Sequence, residues 1–210
     1  MGSAHLKPSC TLARQRRDKM SFILKMLPHN LPAFIREEIL TELFRATADA
    51  FQCTAPAFDH LSFEDCLQAY AFFTREQAEK ALQSGSNIPA LKTHLYRNAY
   101  PLGAKLRQWF TVDTMEDVME LGQILYQAIG VEIVGDTRDD VQGYSLGSVT
   151  VKRCYFSQFY SAPVCDLISA LDDGVLSGLS GGGRLSFSER ITEGRQFCKA
   201  KLSSREEGIT

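Results

Sequence analysis

Pro163 to Leu202 reads PVCDLISALDDGVLSGLSGGGRLSFSERITEGRQFCKAKL, and the change of period inside it decides the fold. On a helical wheel of about 100° per residue, Val164, Leu167, Ile168, Leu171 and Val175 fall in one apolar stripe. This predicts a helix from Pro163 to about Leu179, ended by Gly181, Gly182 and Gly183. Alternation follows, so Leu185 to Ile191 and Phe197 to Leu202 read as strands turned at Glu193-Gly194. Immediately upstream the same order occurs once more. Asp113 or Thr114 can cap a helix with Met115, Val118, Leu121, Leu125 and Ile129 on one face. Val131 to Val134 and Leu146 to Cys154 then read as strands joined through the polar segment Gly135 to Gly143. Helix, two strands, helix, two strands predict an α+β fold: an antiparallel sheet with helices packed on one face.

The N-terminal half is helical in pattern. Phe34, Ile35, Ile39, Leu43 and Phe44 mark a helix over about Pro32 to Phe51, and Ser62 suits the cap of a second that runs toward Leu82. A third covers Leu91 to Phe110, where Pro101 predicts a break or kink and Gly103 loosens the same place. The chain therefore divides into an N-terminal arm (1–28), a helical region (29–111), an α+β module carrying the site (112–203) and a tail (204–210).

With 210 residues, 44% of them hydrophobic, the chain can bury a large core without disulfides. Its formal charge of −2 offers no long-range attraction for nucleic acid, and Arg14, Arg16, Arg17 and Lys19 read as a solvated arm. No run approaches the roughly 18 apolar residues of a membrane span, and no cleavage pattern follows Ser21 to Leu27, so neither membrane nor export is expected. Six dispersed cysteines without a CxxC pair suit reduced thiols in the cytoplasm. The four histidines are isolated and the glycine triplet follows a helix, so no metal, phosphate loop or cofactor is expected. A small-molecule substrate or ligand is the expected partner, and self-association into a homo-oligomer stays open.

Candidate site residues come from the same periodicities. Asp172 and Cys165 flank the buried stripe of their helix, on the side that can reach a cleft, whereas Asp173 lies opposite that stripe. Alternation puts Glu189 on the apolar face with Leu185 and Phe187, where a carboxyl can serve as an acid or base near neutrality. A bulge or strand end would instead return it to water. Cys198 shares a face with Ala200 and Leu202. Cys154 ends a strand beside Lys152 and Arg153, which favour a thiolate, although a free cysteine also packs as a small hydrophobe. Tyr70, Phe72, Phe73, Tyr96, Tyr100, Trp109 and Phe110 read as helix-packing core.

Arg153-Cys154-Tyr155-Phe156, the Asp172-Asp173 pair, the Gly178-Leu179 helix end and Glu193-Gly194-x-x-x-Cys198 together resemble the L-2-amino-thiazoline-4-carboxylic acid hydrolase family over about residues 112 to 202. The resemblance implies hydrolytic opening of a small cyclic isothiourea, with Cys154 or Cys198 as nucleophile and Asp172 or Glu189 managing protons. Tyr155 stands where members of that family often carry proline, and no histidine lies nearby to act as base. The same stretch also resembles the vinyl-reductase-type ligand-binding domain through Tyr160, Gly174, Gly178 and the final Gly-x-x-x-Cys, which implies a non-catalytic binding or sensor domain. A metal or iron-sulfur site on Cys154, Cys165 and Cys198 is neither supported nor excluded by their spacing.

Overall fold

The computed structural model describes residues 31–57, 61–139 and 145–203. The arm, the tail and part of the Gly135 to Gly143 connection lie outside the described residues. Four helices, α1 (Ala33–Phe51), α2 (Phe63–Gln83), α3 (Ile88–Phe110) and α4 (Met115–Ala128), precede strands β1 (Val131–Asp139) and β2 (Ser145–Cys154). A short 3-10 turn (Tyr155–Gln158), helix α5 (Ala162–Ser180), strand β3 (Arg184–Glu189), a second 3-10 turn (Ile191–Glu193) and strand β4 (Cys198–Ser203) complete the fold. The strands form one antiparallel sheet in the order β1-β2-β4-β3.

Helix starts follow local hydrogen-bond chemistry. Ser62 Oγ accepts the Asp65 N–H and Asn87 Oδ1 accepts the Ala90 N–H, each at 3.1 Å. Thr114 and Asp117 bond reciprocally across the first turn of α4, which satisfies two otherwise orphaned amides. Gly181, at φ 80°, closes α5 in the left-handed conformation.

Two expectations change. Pro101 does not break α3, which runs through it. Pro101 and Arg97, four residues back, are not buried, Pro101 being exposed, so water can satisfy the carbonyl that loses its donor. The polar segment after Val134 is strand as far as Asp139, which lies opposite Ser145. Gly135 belongs to that strand because Met119 of α4 packs where its side chain would stand.

Helix α5 is central. Leu176 and Leu179 pack toward the sheet with Leu185, Ala200 and Leu202, in a hydrophobic cluster that also takes in Ile39 of α1 and Leu102 and Leu106 of α3. Val164, Leu167 and Leu171 pack instead with Ala46, Ala78, Leu95 and Ala99 of the helical region. On the sheet, Cys198, Ala200 and Leu202 are buried toward the helices while Lys199 and Lys201 are exposed. Helices therefore cover one face of the sheet.

Helices α3 and α5 meet backbone to backbone. A methyl group added at Gly174 or Gly178 would overlap the carbonyl oxygen of Tyr96 or Tyr100, and one at Gly103 would overlap that of Val175. This second contact of α5 also corrects the reading of Asp173, which is buried at 8% exposure and not on an open face. Its carboxylate accepts Arg184 Nη2 at 2.7 Å and the Leu185 N–H at 2.7 Å, so it ties α5 to the start of β3.

Candidate functional site

A cavity of about 100 Å³ lies between α5, the inner face of the sheet and the aromatic residues of α2, α4 and the first 3-10 turn. Cys154, Asp172 and Cys198 all line it, with Cys165. Glu189 does not. Register explains both outcomes, because each of two β-bulges moves one residue across the sheet.

The first bulge lies in the β1–β2 pairing. Glu132 opposes Arg153, yet the next residue, Ile133, opposes Val151, so Lys152 is the extra residue. Val149 and Val151 are buried, and simple alternation would bring Arg153 inward. The extra residue brings Cys154 inward instead and leaves Lys152 and Arg153 exposed, Arg153 paired with Glu132 at 2.8 Å. The expected cationic activation of Cys154 is therefore absent from its surroundings. Burial pushes its thiol up to about 12, even though the backbone at Phe156 and Ser157 pulls the other way. Burial also raises Cys165 and Cys198. Cys198 Sγ accepts the Ile191 N–H at 3.3 Å, which holds it against the second 3-10 turn.

The second bulge lies in β3, where Phe187 opposes Ala200 and Glu189 opposes Lys199. Ser188 is the extra residue, and Glu189 consequently leaves the apolar face. Its carboxylate meets Lys199 Nζ at 2.8 Å, and this bond holds it below the usual carboxylate range. Arg190 turns inward in its place.

Asp172 points into the cavity wall and accepts a hydrogen bond from Tyr126 Oη at 2.7 Å. Burial raises its carboxyl to about 6, against the pull of the Tyr126 hydroxyl and the Arg190 charge, with Asp173 adding a small push upward. Burial likewise lifts the Tyr126 and Tyr160 phenols well above their ordinary value. Tyr160 bonds the Thr74 hydroxyl, and Tyr70 Oη lies 3.2 Å from Thr47 Oγ1, so each phenol is fixed by a threonine. Phe156 stacks on Tyr160 and meets Tyr70 edge-on, which makes one wall of the cavity aromatic.

Sequence reasoning missed Tyr126 and Arg190. Tyr126 follows Leu125 on the edge of the α4 stripe, a position that could have marked it as cavity-facing. Arg190 carries no such signal, because only the Ser188 bulge turns it inward. Tyr70, expected as core packing, also lines the cavity. Among the described residues no three His, Cys, Asp or Glu side chains are grouped to hold a metal ion, and no helix is long and apolar enough to cross a membrane.

The chain matches no family model and no curated protein. In fold it is similar to the phenol-responsive sensory domain of the transcription activator PoxR with phenol, at 17% identity and a TM-score of 0.50 over 65% of this chain and 75% of that one. It is also similar to trafficking protein particle complex subunit 3 from Naegleria fowleri covalently bound to palmitic acid, at 12% identity and a TM-score of 0.52 over 67% of this chain and 95% of that one. At these identities the likeness is one of fold alone.

Proposed function

We propose that the chain is a small-ligand-binding domain whose cavity takes one compact, largely apolar molecule of about the size of a single ring and does not transform it. The observation that carries this reading is the cavity itself, with its aromatic and aliphatic lining and a few fixed polar groups led by Asp172 and Tyr126. Its volume of about 100 Å³ is of the same order as apolar cavities of roughly 150 Å³ that hold benzene. The resemblance to vinyl-reductase-type ligand-binding domains points the same way. So does the fold shared with a sensory domain solved with phenol.

The thiols favour binding over catalysis. The hydrolase family resemblance asks for a cysteine nucleophile, which acts as the thiolate, and burial raises Cys154, Cys165 and Cys198. Glu189, the second acid in that reading, is paired with Lys199 on the other face of the sheet.

Thermal unfolding against a panel of monocyclic arenes tests the proposal. A ligand present at about 100 times its Kd adds about 2.7 kcal/mol to stability, a shift of about 5 to 11 °C for a chain of this length. Filling the space with Leu171→Trp is expected to abolish that shift. No stabilisation by any member would refute ligand binding. Conversion of 2-amino-thiazoline-4-carboxylate to a carbamoyl-cysteine product, lost in Cys154→Ser or Cys198→Ser, would overturn the non-catalytic reading in favour of the hydrolase.

A further inference from the structure

We propose that Arg190 is the specificity-determining residue of the cavity and that the preferred ligand is a ring-sized carboxylate whose oxygen accepts from guanidinium Nη1. This inference rests on the ligand-binding reading and names the chemical class of the ligand.

The Ser188 bulge makes the site. It exchanges Glu189 for a cation on the inner face, and Arg190 ends 8% exposed, lining the cavity. The guanidinium is fixed on three sides: Nη2 donates to Asp166 Oδ1 at 3.0 Å and Ser169 Oγ at 3.2 Å, and the group lies 4.4 Å over the Phe187 ring. Glu193, half exposed, stands 3.9 Å from Nε. Nη1 is buried and, among the described residues, has no hydrogen-bond partner. Native folds seldom leave such a donor unmatched, and a guanidinium cannot shed its charge to escape the cost.

Two carboxylates meet its charge, Asp166 at 3.0 Å and Glu193 at 3.9 Å. Asp166 shares its carboxylate between Arg190 and Lys92, whose Nζ lies 2.6 Å away, and Asp173 is engaged by Arg184 and the Leu185 N–H. Arg190 lines the cavity together with Asp172, Cys165 and Cys198, and on its other side it borders the open groove that holds Lys92, Asp166 and Arg184. Burying a carboxylate is ordinarily costly because both ions must lose water. Here folding has already desolvated the cation, and only the ligand's share remains. A charge-assisted bond to Nη1 then favours the acid over a neutral isostere by about tenfold where Asp172 is protonated.

The site also implies a pH dependence. A ligand carboxylate beside Asp172 favours protonation of that side chain, so the acid binds with uptake of a proton, and its affinity rises as pH falls from about 8 to about 6. The titratable groups that share the cavity with Asp172 are Tyr126 from α4, Tyr70, Tyr160, the three thiols and Arg190, and Asp173 adds its charge from the adjacent position. The phenols and thiols are raised by burial and stay neutral through this window.

Calorimetric titration of the full chain at about pH 5.5 and low salt, where Asp172 is mostly protonated and benzoate still ionised, with benzoate, benzyl alcohol and toluene tests the assignment. The wild type is expected to bind benzoate at least about tenfold more tightly than benzyl alcohol, and Arg190→Met is expected to lose that preference. Equal or weaker binding of benzoate, or a preference that survives Arg190→Met, overturns the inference. Binding of toluene or benzyl alcohol alone leaves the ligand-binding reading standing, whereas failure of all three probes removes both. If circular dichroism finds Arg190→Met unfolded, the wild type decides. Its benzoate affinity should rise at least about threefold from about pH 8 to about pH 6 while that of benzyl alcohol stays level, and a level benzoate response refutes the proposal.

Discussion

Replacing Asp172 by asparagine should stabilise the ligand-free protein at neutral and alkaline pH. Burial raises this carboxyl from its ordinary 3.8 to about 6. At 1.36 kcal/mol for each tenfold change in proton affinity, ionising it in the folded state costs about 3 kcal/mol more than ionising it in the unfolded chain. The sign is set by which state holds the proton. Between about pH 4 and 6 the folded chain keeps a proton that the unfolded chain has released, so stability from this group is complete below about 3.8 and falls as pH rises through 6. Asparagine has no such ionisation, and its amide oxygen can still accept from Tyr126. Urea unfolding of both proteins at about pH 4 and pH 8 measures the effect. Near-equal stabilities at pH 4 and a variant more stable by up to about 3 kcal/mol at pH 8 are expected. A difference independent of pH, or a variant weaker at pH 8, would refute the account of Asp172 as a carboxyl held in the cavity at a cost to the fold. A residue that lowers stability where it stands is a mark of a site kept for function.

Removing the Tyr126 hydroxyl with Tyr126→Phe deletes the bond that lowers the Asp172 carboxyl, so its titration, followed by carbon-13 NMR, should move above about 6. Gly178→Ala should destabilise the protein by about 2 kcal/mol or more in denaturant unfolding, since the new methyl group overlaps the Tyr100 carbonyl and comes 2.7 Å from the Ala104 amide nitrogen. Gly122→Ala provides the contrast: its methyl group meets only Leu176 and Ile133 side chains at 3.8 and 4.0 Å, and the gain in helix propensity should leave stability unchanged or about 1 kcal/mol higher. In the folded protein at about pH 7.5, iodoacetamide should modify Cys154, Cys165 and Cys198 far more slowly than in urea, as peptide mapping would record. Rapid labelling of Cys154 in the native state would contradict its raised thiol.

Much of the fold is legible because each element of the C-terminal half carries an apolar stripe of the right period. Val164, Leu167, Ile168 and Leu171 of the α5 stripe are buried, with Val175 half-buried, and the alternation of β4 names its buried residues correctly. Periodicity fails where the chain departs from ideal register. Ser188 and Lys152 look like any other polar strand residue, yet each as a bulge reverses the facing of the residues after it, so strict alternation turns Glu189 inward and gives no sign of Arg190. Asp173 illustrates a different limit. A wheel predicts one buried stripe for a surface helix, but α5 is covered on a second side by α3, and only the pairing of Gly174 and Gly178 at a four-residue step hints at that contact.

That pairing governs how the cavity can answer an occupant. Cys165, Ile168 and Asp172 project from a helix whose other side is locked, carbonyl against glycine, to its neighbour. With backbone against backbone at Gly103, Gly174 and Gly178, this wall behaves as an anvil. Whatever displacement a ligand demands must be absorbed opposite it, where Arg190 opens the short connection between the last two strands and Cys198 closes it. An arriving molecule would thus be registered along that nine-residue span, where the surface of the protein could read it.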